Sequence, residues 1–343
     1  MPKAIDHLAA LTGYRDRDLL DVTLAHALTD LLRPRGVAVW KLVGEGEQAR
    51  WLLRARLEAG QATAVSDPPW VAYEDLPPRD SAPLRCDCLR TQAVLRGETD
   101  EGACFTLFPL MAEGEAVGVV EVCSDQPPGA ATLRLVSSIL RIYRNFHGLL
   151  DYSERDMLTG LLNRKTFDEA FLKIIHAPPP AVAAGDERRQ ALTATRHWLG
   201  VVDIDHFKSV NDRFGHLIGD EVLLLVARVL RHTFRYQDRL YRFGGEEFVV
   251  LLRCGSEADA AGAFERLRQN LENFAFPQVG RVTASIGFTE VQPGDAPSAA
   301  FERADQAVYH AKQHGRNQVC GYDDLVRRGL LRRGPRVGDV ELF

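Results

Sequence analysis

Apolar residues recur at spacings of three and four over residues 19–32 (Leu20, Val22, Leu24, Leu28, Leu31, Leu32), which predicts a helix. Arg33-Pro34-Arg35-Gly36 stops it. Residues 37–43 (V-A-V-W-K-L-V) and 51–57 (W-L-L-R-A-R-L) read as strands. From 60 to 102 the chain is rich in Pro, Asp and Arg with weak periodicity. That is long for a structureless loop, so short helices and a ligand-facing segment are expected there. Residues 104–112 and 116–123 read as a strand pair around Glu113-Gly114-Glu115. Helix, strands, loop region and strand pair predict a small α+β module.

Pro127-Pro128-Gly129 closes that sheet, and residues 132–155 read as one long helix. Leu133, Val136, Leu140, Tyr143, His147 and Leu150 form one stripe; Leu135, Ile139, Ile142, Phe146 and Leu149 form a second. Two adjacent stripes suit a helix that packs on its own domain and on a partner helix. Two readings stay open, a connector forming a parallel coiled coil and a terminal helix of the first domain.

After a break at Thr159-Gly160, residues 165–176 predict a helix, which Asn163 can cap. Residues 178–196, opening with three prolines, read as a loop. Residues 198–204 (W-L-G-V-V-D-I) are a β-branched strand ending in acid. Asp203 and Asp205, at i and i+2, face one side, where they can share a cation. A polar, turn-rich run at 206–216 leads into a helix over 219–231. Two strands then flank a turn at Gly244-Gly245, which sets Glu246 and Glu247 at the start of the second. A helix over 257–274, a strand over 282–289, a helix over 297–314 and a short strand at 319–320 complete a β-α-β-β-α-β plan of ferredoxin-like type. In that plan the strand bearing Asp203 lies beside the hairpin, so Asp203 and Glu246 converge.

Composition changes this picture little. The chain has 343 residues, 45% hydrophobic and 26% charged, with net charge −5, and reads as two soluble domains. The balance argues against a duplex-DNA binder. No apolar run reaches the ~18–20 residues of a membrane span, and the N-terminus lacks a signal core, so a cytoplasmic location is expected. The cysteines (Cys86, Cys88, Cys104, Cys123, Cys254, Cys320) are scattered as in a reduced compartment. Cys86-Asp87-Cys88 with Cys104 is either a metal or redox site or a set of structural thiols.

Several blocks carry a family resemblance. The F-P-L…G-V-V-E-V pattern at 108–122 resembles a GAF domain, with a PAS-like fold as the alternative. Such a domain implies dimerisation or a small ligand, which nothing in the sequence names. Residues 152–323 resemble a GGDEF domain of the diguanylate cyclase family. The matching blocks are D-x-L-T-G-L-x-N-R at 156–164, D-I-D-x-F-K-x-x-N-D at 203–212 and G-H-x-x-G-D at 215–220. They continue with R-x-G-G-E-E-F at 242–248, S-I-G at 285–287 and A-K-x-x-G-R-N at 311–317.

The resemblance implies an α+β chain of two domains. A GAF-like antiparallel-sheet sensor domain would occupy 1–131 and a connecting signalling helix 132–155. A ferredoxin-like GGDEF cyclase domain would occupy 156–323 and a basic tail 324–343. It implies condensation of two GTP into cyclic di-GMP and two pyrophosphates across a homodimer. Asp203, the Ile204 carbonyl and Glu246 would hold two Mg²⁺ ions, with Mn²⁺ as an alternative. Glu246 would deprotonate the 3′-hydroxyl, Glu247 would contact metal or water, and Lys208 would stabilise the transition state. Asn211 and Asp220 would read guanine, and Phe207, His216 and Gly245 would line the substrate site. Lys312 and Arg316 would meet the terminal phosphates. Arg235 and Asp238 match an R-x-x-D site for inhibitory cyclic di-GMP, with Arg266 as a second arm. A catalytically silent GGDEF domain that binds GTP or cyclic di-GMP is the alternative. About 20 residues follow Tyr322, too few for a phosphodiesterase domain.

Overall fold

The computed structural model describes residues 9, 11, 17–44, 46–67, 71, 73–98, 102–112, 114–176 and 196–332. The turn residue Glu113, residues 178–195 of the loop expected over 178–196, and the tail beyond 332, with Arg333 and Arg336, lie outside the described residues, while Arg196 opens a strand. The chain divides into two compact units, Met1–Ser153 and Glu154–Phe343.

In the first unit, α1 (Arg17–Leu32) precedes β1 (Gly36–Val43) and β2 (Arg50–Glu58). Next come α2 (Pro83–Thr91), β3 (Leu95–Glu98), β4 (Cys104–Ala112), β5 (Glu115–Ser124) and the long α3 (Ala130–Glu154). The strands form an antiparallel sheet in the order β2-β1-β5-β4-β3. Period-two alternation puts Val37, Val39, Phe108, Val120 and Val122 on one face, where they pack with α1 and α3. Ala38, Trp40, Leu107 and Val119 line the other face, which Cys88 of α2 covers. The stretch 60–102 holds two short 3-10 turns and α2, as expected, and also strand β3. Its sequence, L-R-G-E, carries no strand pattern; pairing with β4 makes it one.

Val136, Tyr143 and Leu150 bury the first stripe of α3 in this unit's core; of the second, Ile139 is buried there too, while Leu135 and Leu149 stay exposed. Between the stripes and the sheet sits Asp21, which is fully buried. Arg54 (2.7 Å), Lys41 (3.3 Å) and the Tyr143 hydroxyl surround its carboxylate. Burial opposes the charge, but Lys41 and Arg54 carry its pKa below the ordinary range. Cys88 donates to the Ala93 carbonyl, and burial pushes its thiol up to about 11, which disfavours the thiolate needed for redox or metal chemistry. All six cysteines are free thiols.

The second unit opens with β6 (Leu162–Asn163), α4 (Arg164–His176) and β7 (Arg196–Ile204). It continues with α5 (Phe207–Phe214), α6 (His216–Thr233), β8 (Arg239–Gly244), β9 (Glu247–Cys254) and α7 (Glu257–Asn273). It ends with β10 (Ala284–Glu290), α8 (Pro297–Gln313), β11 (Val319–Gly321) and α9 (Tyr322–Arg327). The sheet order is β11-β10-β7-β9-β8-β6, and β10, β7, β9 and β8 are mutually antiparallel neighbours. That is the expected ferredoxin-like arrangement. Asn163 caps α4 by accepting from the Thr166 backbone N–H at 3.1 Å. The polar run at 206–216 is largely the helix α5, where the sequence pattern predicts turns. Phe207 and Val210, three apart, bury its inner side, and Gly215 at φ +85° separates it from α6. The first part of the basic tail is also ordered: Leu325 of α9 is buried, and Arg327 pairs with Glu257 at 2.8 Å.

Odd and even residues of β7 face opposite layers. Val202 and Ile204 pack with α6 and α7, and Phe264 of α7 fills the space left by Gly200. Asp203 points the other way, toward α8. That helix lies directly on β10: a Cβ at Gly287 would stand 2.2 Å from the Ala304 carbonyl oxygen and 2.4 Å from the Val308 nitrogen. The glycine of S-I-G therefore sets the depth at which α8, and with it Lys312, sits on the sheet. Gly287→Ala is expected to destabilise this unit by about 1–3 kcal/mol, since helix backbone yields poorly to overpacking. Thermal unfolding checks this, and an unchanged midpoint would refute the close packing of α8 on β10.

Candidate active site

The pairing of β7 with β9 places Asp203 directly opposite Glu247. Both side chains project to the α8 face, and the turn residue Glu246 joins them. Its carbonyl accepts from the Ile204 N–H at 3.4 Å, which ties the turn to the end of β7. Like charges directly opposite across a ladder repel. Lys312 of α8 supplies the counter-charge, with Nζ 2.7 Å from Asp203 Oδ2. The other oxygen, Asp203 Oδ1, is buried and accepts no hydrogen bond from the described residues.

The electrostatics record this crowding. Burial raises Asp203 most, Lys312 opposes, and Asp205 and Asp305 add to the rise. Burial and then Asp203 raise Glu246, with Lys312 opposing and Glu247 adding. Glu247 is raised by burial, Asp203 and Asp305. Three crowded carboxyls whose charged forms are all disfavoured form a site suited to positive charge. Among the described residues no cluster of three acidic, His or Cys side chains is closed enough to hold a metal by itself.

Asp205 departs from expectation. Its buried carboxylate accepts from Ser285 Oγ (2.7 Å), Thr283 Oγ1 (2.8 Å) and the Asn317 N–H (3.0 Å). Those bonds hold it to the β10 segment and the loop after α8, so it braces the sheet.

The turn itself depends on Gly244 and Gly245, at φ +144° and +51°. Arg242 holds it from behind. Its Nη2 and Nε donate to the Gly245 carbonyl at 2.9 and 3.2 Å, and its Nη1 reaches both oxygens of Asp156 at 3.0 and 3.2 Å. Asp156 also accepts from the Thr159 N–H and hydroxyl. By its pattern alone, 156–160 is only a helix break. The acid of D-x-L-T, complementary to the arginine before G-G, is the available signal that the segment props the turn.

The other residues expected to form the site lie on α5, on α6, after α8 and before β8. Phe207 is buried, Lys208 exposed, and Asn211 half-buried on α5. A Cβ at Gly219 would stand 1.9 Å from Asn211 Oδ1, so the glycine leaves room for that amide. His216 and Asp220 are exposed on the first turns of α6, and Arg316 is exposed just past α8. Arg235 and Asp238 form a tight turn in which the Arg235 N–H donates to Asp238 Oδ2 at 2.9 Å. Burial raises Asp238 first, and the neighbouring charges of Arg235 and Arg266 oppose it, which brings Arg266 into that neighbourhood.

A model of the family described as "Diguanylate cyclase, GGDEF domain" matches residues 153–318. This part of the chain is a GGDEF domain. Over 202 residues the chain is 39% identical to the diguanylate cyclase DgcP of Pseudomonas aeruginosa, covering 55% of this chain and 27% of that one. Over 175 residues it is 33% identical to the diguanylate cyclase DgcZ of Escherichia coli, covering 50% and 54%. Over 224 residues it is 34% identical to the response regulator PleD of Caulobacter vibrioides, covering 62% and 47%. The chain thus spans between about a quarter and about half of the length of these relatives. Among the described residues no helix is long and apolar enough to cross a membrane.

The raised carboxyls predict a stability effect of definite sign. A carboxyl whose folded pKa is raised stabilises the fold fully below its unfolded pKa and loses that contribution as pH rises through the folded value. Glu247→Gln removes one such group. We expect it to unfold about 2–4 °C higher than wild type at neutral pH, the response to roughly 1 kcal/mol in a unit of this size. The difference should shrink as pH falls and vanish below the ordinary carboxylate range, where folded and unfolded chains are both protonated. Melting curves across that range check it, and a variant less stable at neutral pH would contradict the crowding.

Proposed function

We propose that the chain is a diguanylate cyclase that condenses two GTP into cyclic di-GMP and two pyrophosphates. The observation that carries this reading is the facing pair Asp203 and Glu247 with Glu246 and Lys312, set on a GGDEF domain. The unpartnered, buried Asp203 Oδ1 fits a cation ligand. Asp203, Glu246 and the Ile204 carbonyl would hold Mg²⁺, or Mn²⁺ in its place. Bound there, the cations would neutralise the triphosphate and acidify the attacking hydroxyl.

The chain's own groups take the remaining tasks. Glu246, raised above the ordinary carboxylate value and so a stronger base, is suited to accept the 3′-hydroxyl proton. Lys312 is then freed from Asp203 to meet phosphate, together with Arg316, and Glu247 orders a cation or water. Lys208, exposed on α5, would steady the charge that builds at the α-phosphate. Asn211 and Asp220 together offer donors and acceptors matched to the guanine edge, and His216 and Phe207 border that pocket. Gly245 lets nucleotide approach the turn backbone.

Each domain offers one such centre, whereas the product needs two 3′-attacks. Two copies must therefore face each other, and turnover per chain should rise with protein concentration. The first unit, a GAF-like sheet with α1 and α3 on one face and α2 on the other, would regulate that meeting in response to a small ligand. The Arg235–Asp238 turn with nearby Arg266 would bind product, since guanidinium stacks on guanine and carboxylate accepts from its nitrogens. The retained acids and glycines of the turn weigh against a silent binding module.

Purified protein given GTP and Mg²⁺ should yield cyclic di-GMP by chromatography. Glu246→Gln should lower the rate by about 10²–10⁴-fold, the range of a general base. Absence of product at every protein concentration would sink the proposal. Arg235→Ala should relieve inhibition by added cyclic di-GMP and leave the uninhibited rate unchanged; persistent inhibition would remove the assigned product site.

A further inference from the structure

We infer that Asn317 and Arg268 are positioning residues that hold the loop after α8 so that Arg316 meets the terminal phosphates of the nucleotide. This rests on the reading above that Arg316 contacts those phosphates. The loop is strained. Gly315, Arg316 and Asn317 all have positive φ, at +109°, +62° and +44°. Two consecutive non-glycine residues in the left-handed region cost roughly 1–2 kcal/mol each, so surrounding contacts must over-determine them.

Those contacts are present and partly buried. The Arg316 N–H donates to the Ala311 carbonyl at 2.9 Å, and the Asn317 N–H to Asp205 Oδ2 at 3.0 Å. Arg268 Nη1 donates to Asn317 Oδ1 at 3.0 Å, and Asn317 Nδ2 donates to Glu272 Oε1 at 3.0 Å. Arg268 is itself fixed. Its guanidinium reaches Glu265 at 2.7 Å and Glu272 at 2.6 Å, and its side chain is 14% exposed. Asp205 in turn is locked to Ser285 and Thr283 of the β10 segment. The loop is thus bolted on one side to α7 and on the other to the strand end that carries Asp203.

Arg316 stands out against this fixation. Its guanidinium is exposed and makes no hydrogen bond or ion pair with the described residues. A strained, bracketed backbone that presents an uncommitted guanidinium is pre-organised for an anion outside the loop. The bracket acts on the part of the nucleotide that Arg316 reaches. Loosening it should weaken binding of the distal phosphates while leaving the guanine end alone.

The test uses the full chain and two ligands, a non-reactive GTP analogue and GMP, titrated calorimetrically with Mg²⁺ present. Asn317→Gly keeps a residue at ease with φ +44° and keeps the backbone bond to Asp205, but removes both side-chain bonds. We expect it to lose about tenfold in affinity for the GTP analogue, the equivalent of about 1.4 kcal/mol, with GMP affinity within about twofold. Arg268→Ala should show the same split, and the double variant should lose no more than either alone, because the two residues act as one unit. Equal weakening of both ligands would mean a general structural role and overturn the inference. So would an unchanged preference for the GTP analogue over GMP in both variants. If the wild type itself binds the analogue no tighter than GMP, the phosphate role of Arg316 fails first and the inference falls with it.

Discussion

The second unit depends on a repulsion. Antiparallel pairing of β7 with β9 forces Asp203 and Glu247 to face each other, and the turn that joins β8 to β9 brings Glu246 beside them. Nothing in the folding of a sheet favours that arrangement. The apolar residues of β7 and β9 set the register, with Val202 and Phe248 buried on one face and Val201 and Val249 on the other. A slip of one residue would carry every apolar side chain to the wrong layer, so packing holds the acids in place against their own electrostatics. Lys312 offsets part of the cost and leaves Asp203 Oδ1 unpaired.

The surroundings of the acids follow from that constraint. Asp156 and Arg242 brace the turn from one side; Asp205, Asn317 and Arg268 brace the loop after α8 from the other. Gly287 lets α8 approach closely enough for Lys312 to reach Asp203. Several motif blocks distant in sequence thus have mechanical tasks near the ends of these central strands. In both braces an acid is held by several hydrogen bonds, whereas Asp203 between them keeps an oxygen unpartnered among the described residues. Such a local imbalance is where a cation and a polyphosphate bind with most effect.

Much of this is legible in the sequence. Strand alternation and helix periodicity predict most elements of both units, and the β-α-β-β-α-β order predicts the adjacency of Asp203 and the G-G-E-E turn. The hidden features depend on tertiary contact. β3 is a strand through its pairing with β4, and α5 is a helix through two buried anchors in a polar run. Asp205 looks like a cation ligand by spacing; its true partners come from β10 and from residue 317, far along the chain. The tie between Asp156 and Arg242 spans 86 positions, which no local pattern can show.

If the crowded carboxylates form a cation and triphosphate site, nucleotide and cation should bind there together. Thermal unfolding with a non-reactive GTP analogue, with and without Mg²⁺, is the decisive measurement, because a ligand that binds the folded state raises its melting temperature. A clear rise is expected when analogue and Mg²⁺ are added together, little from either alone, and none in Asp203→Asn. Equal stabilisation by the analogue without the cation, or an undiminished rise in Asp203→Asn, would contradict a shared site at these acids.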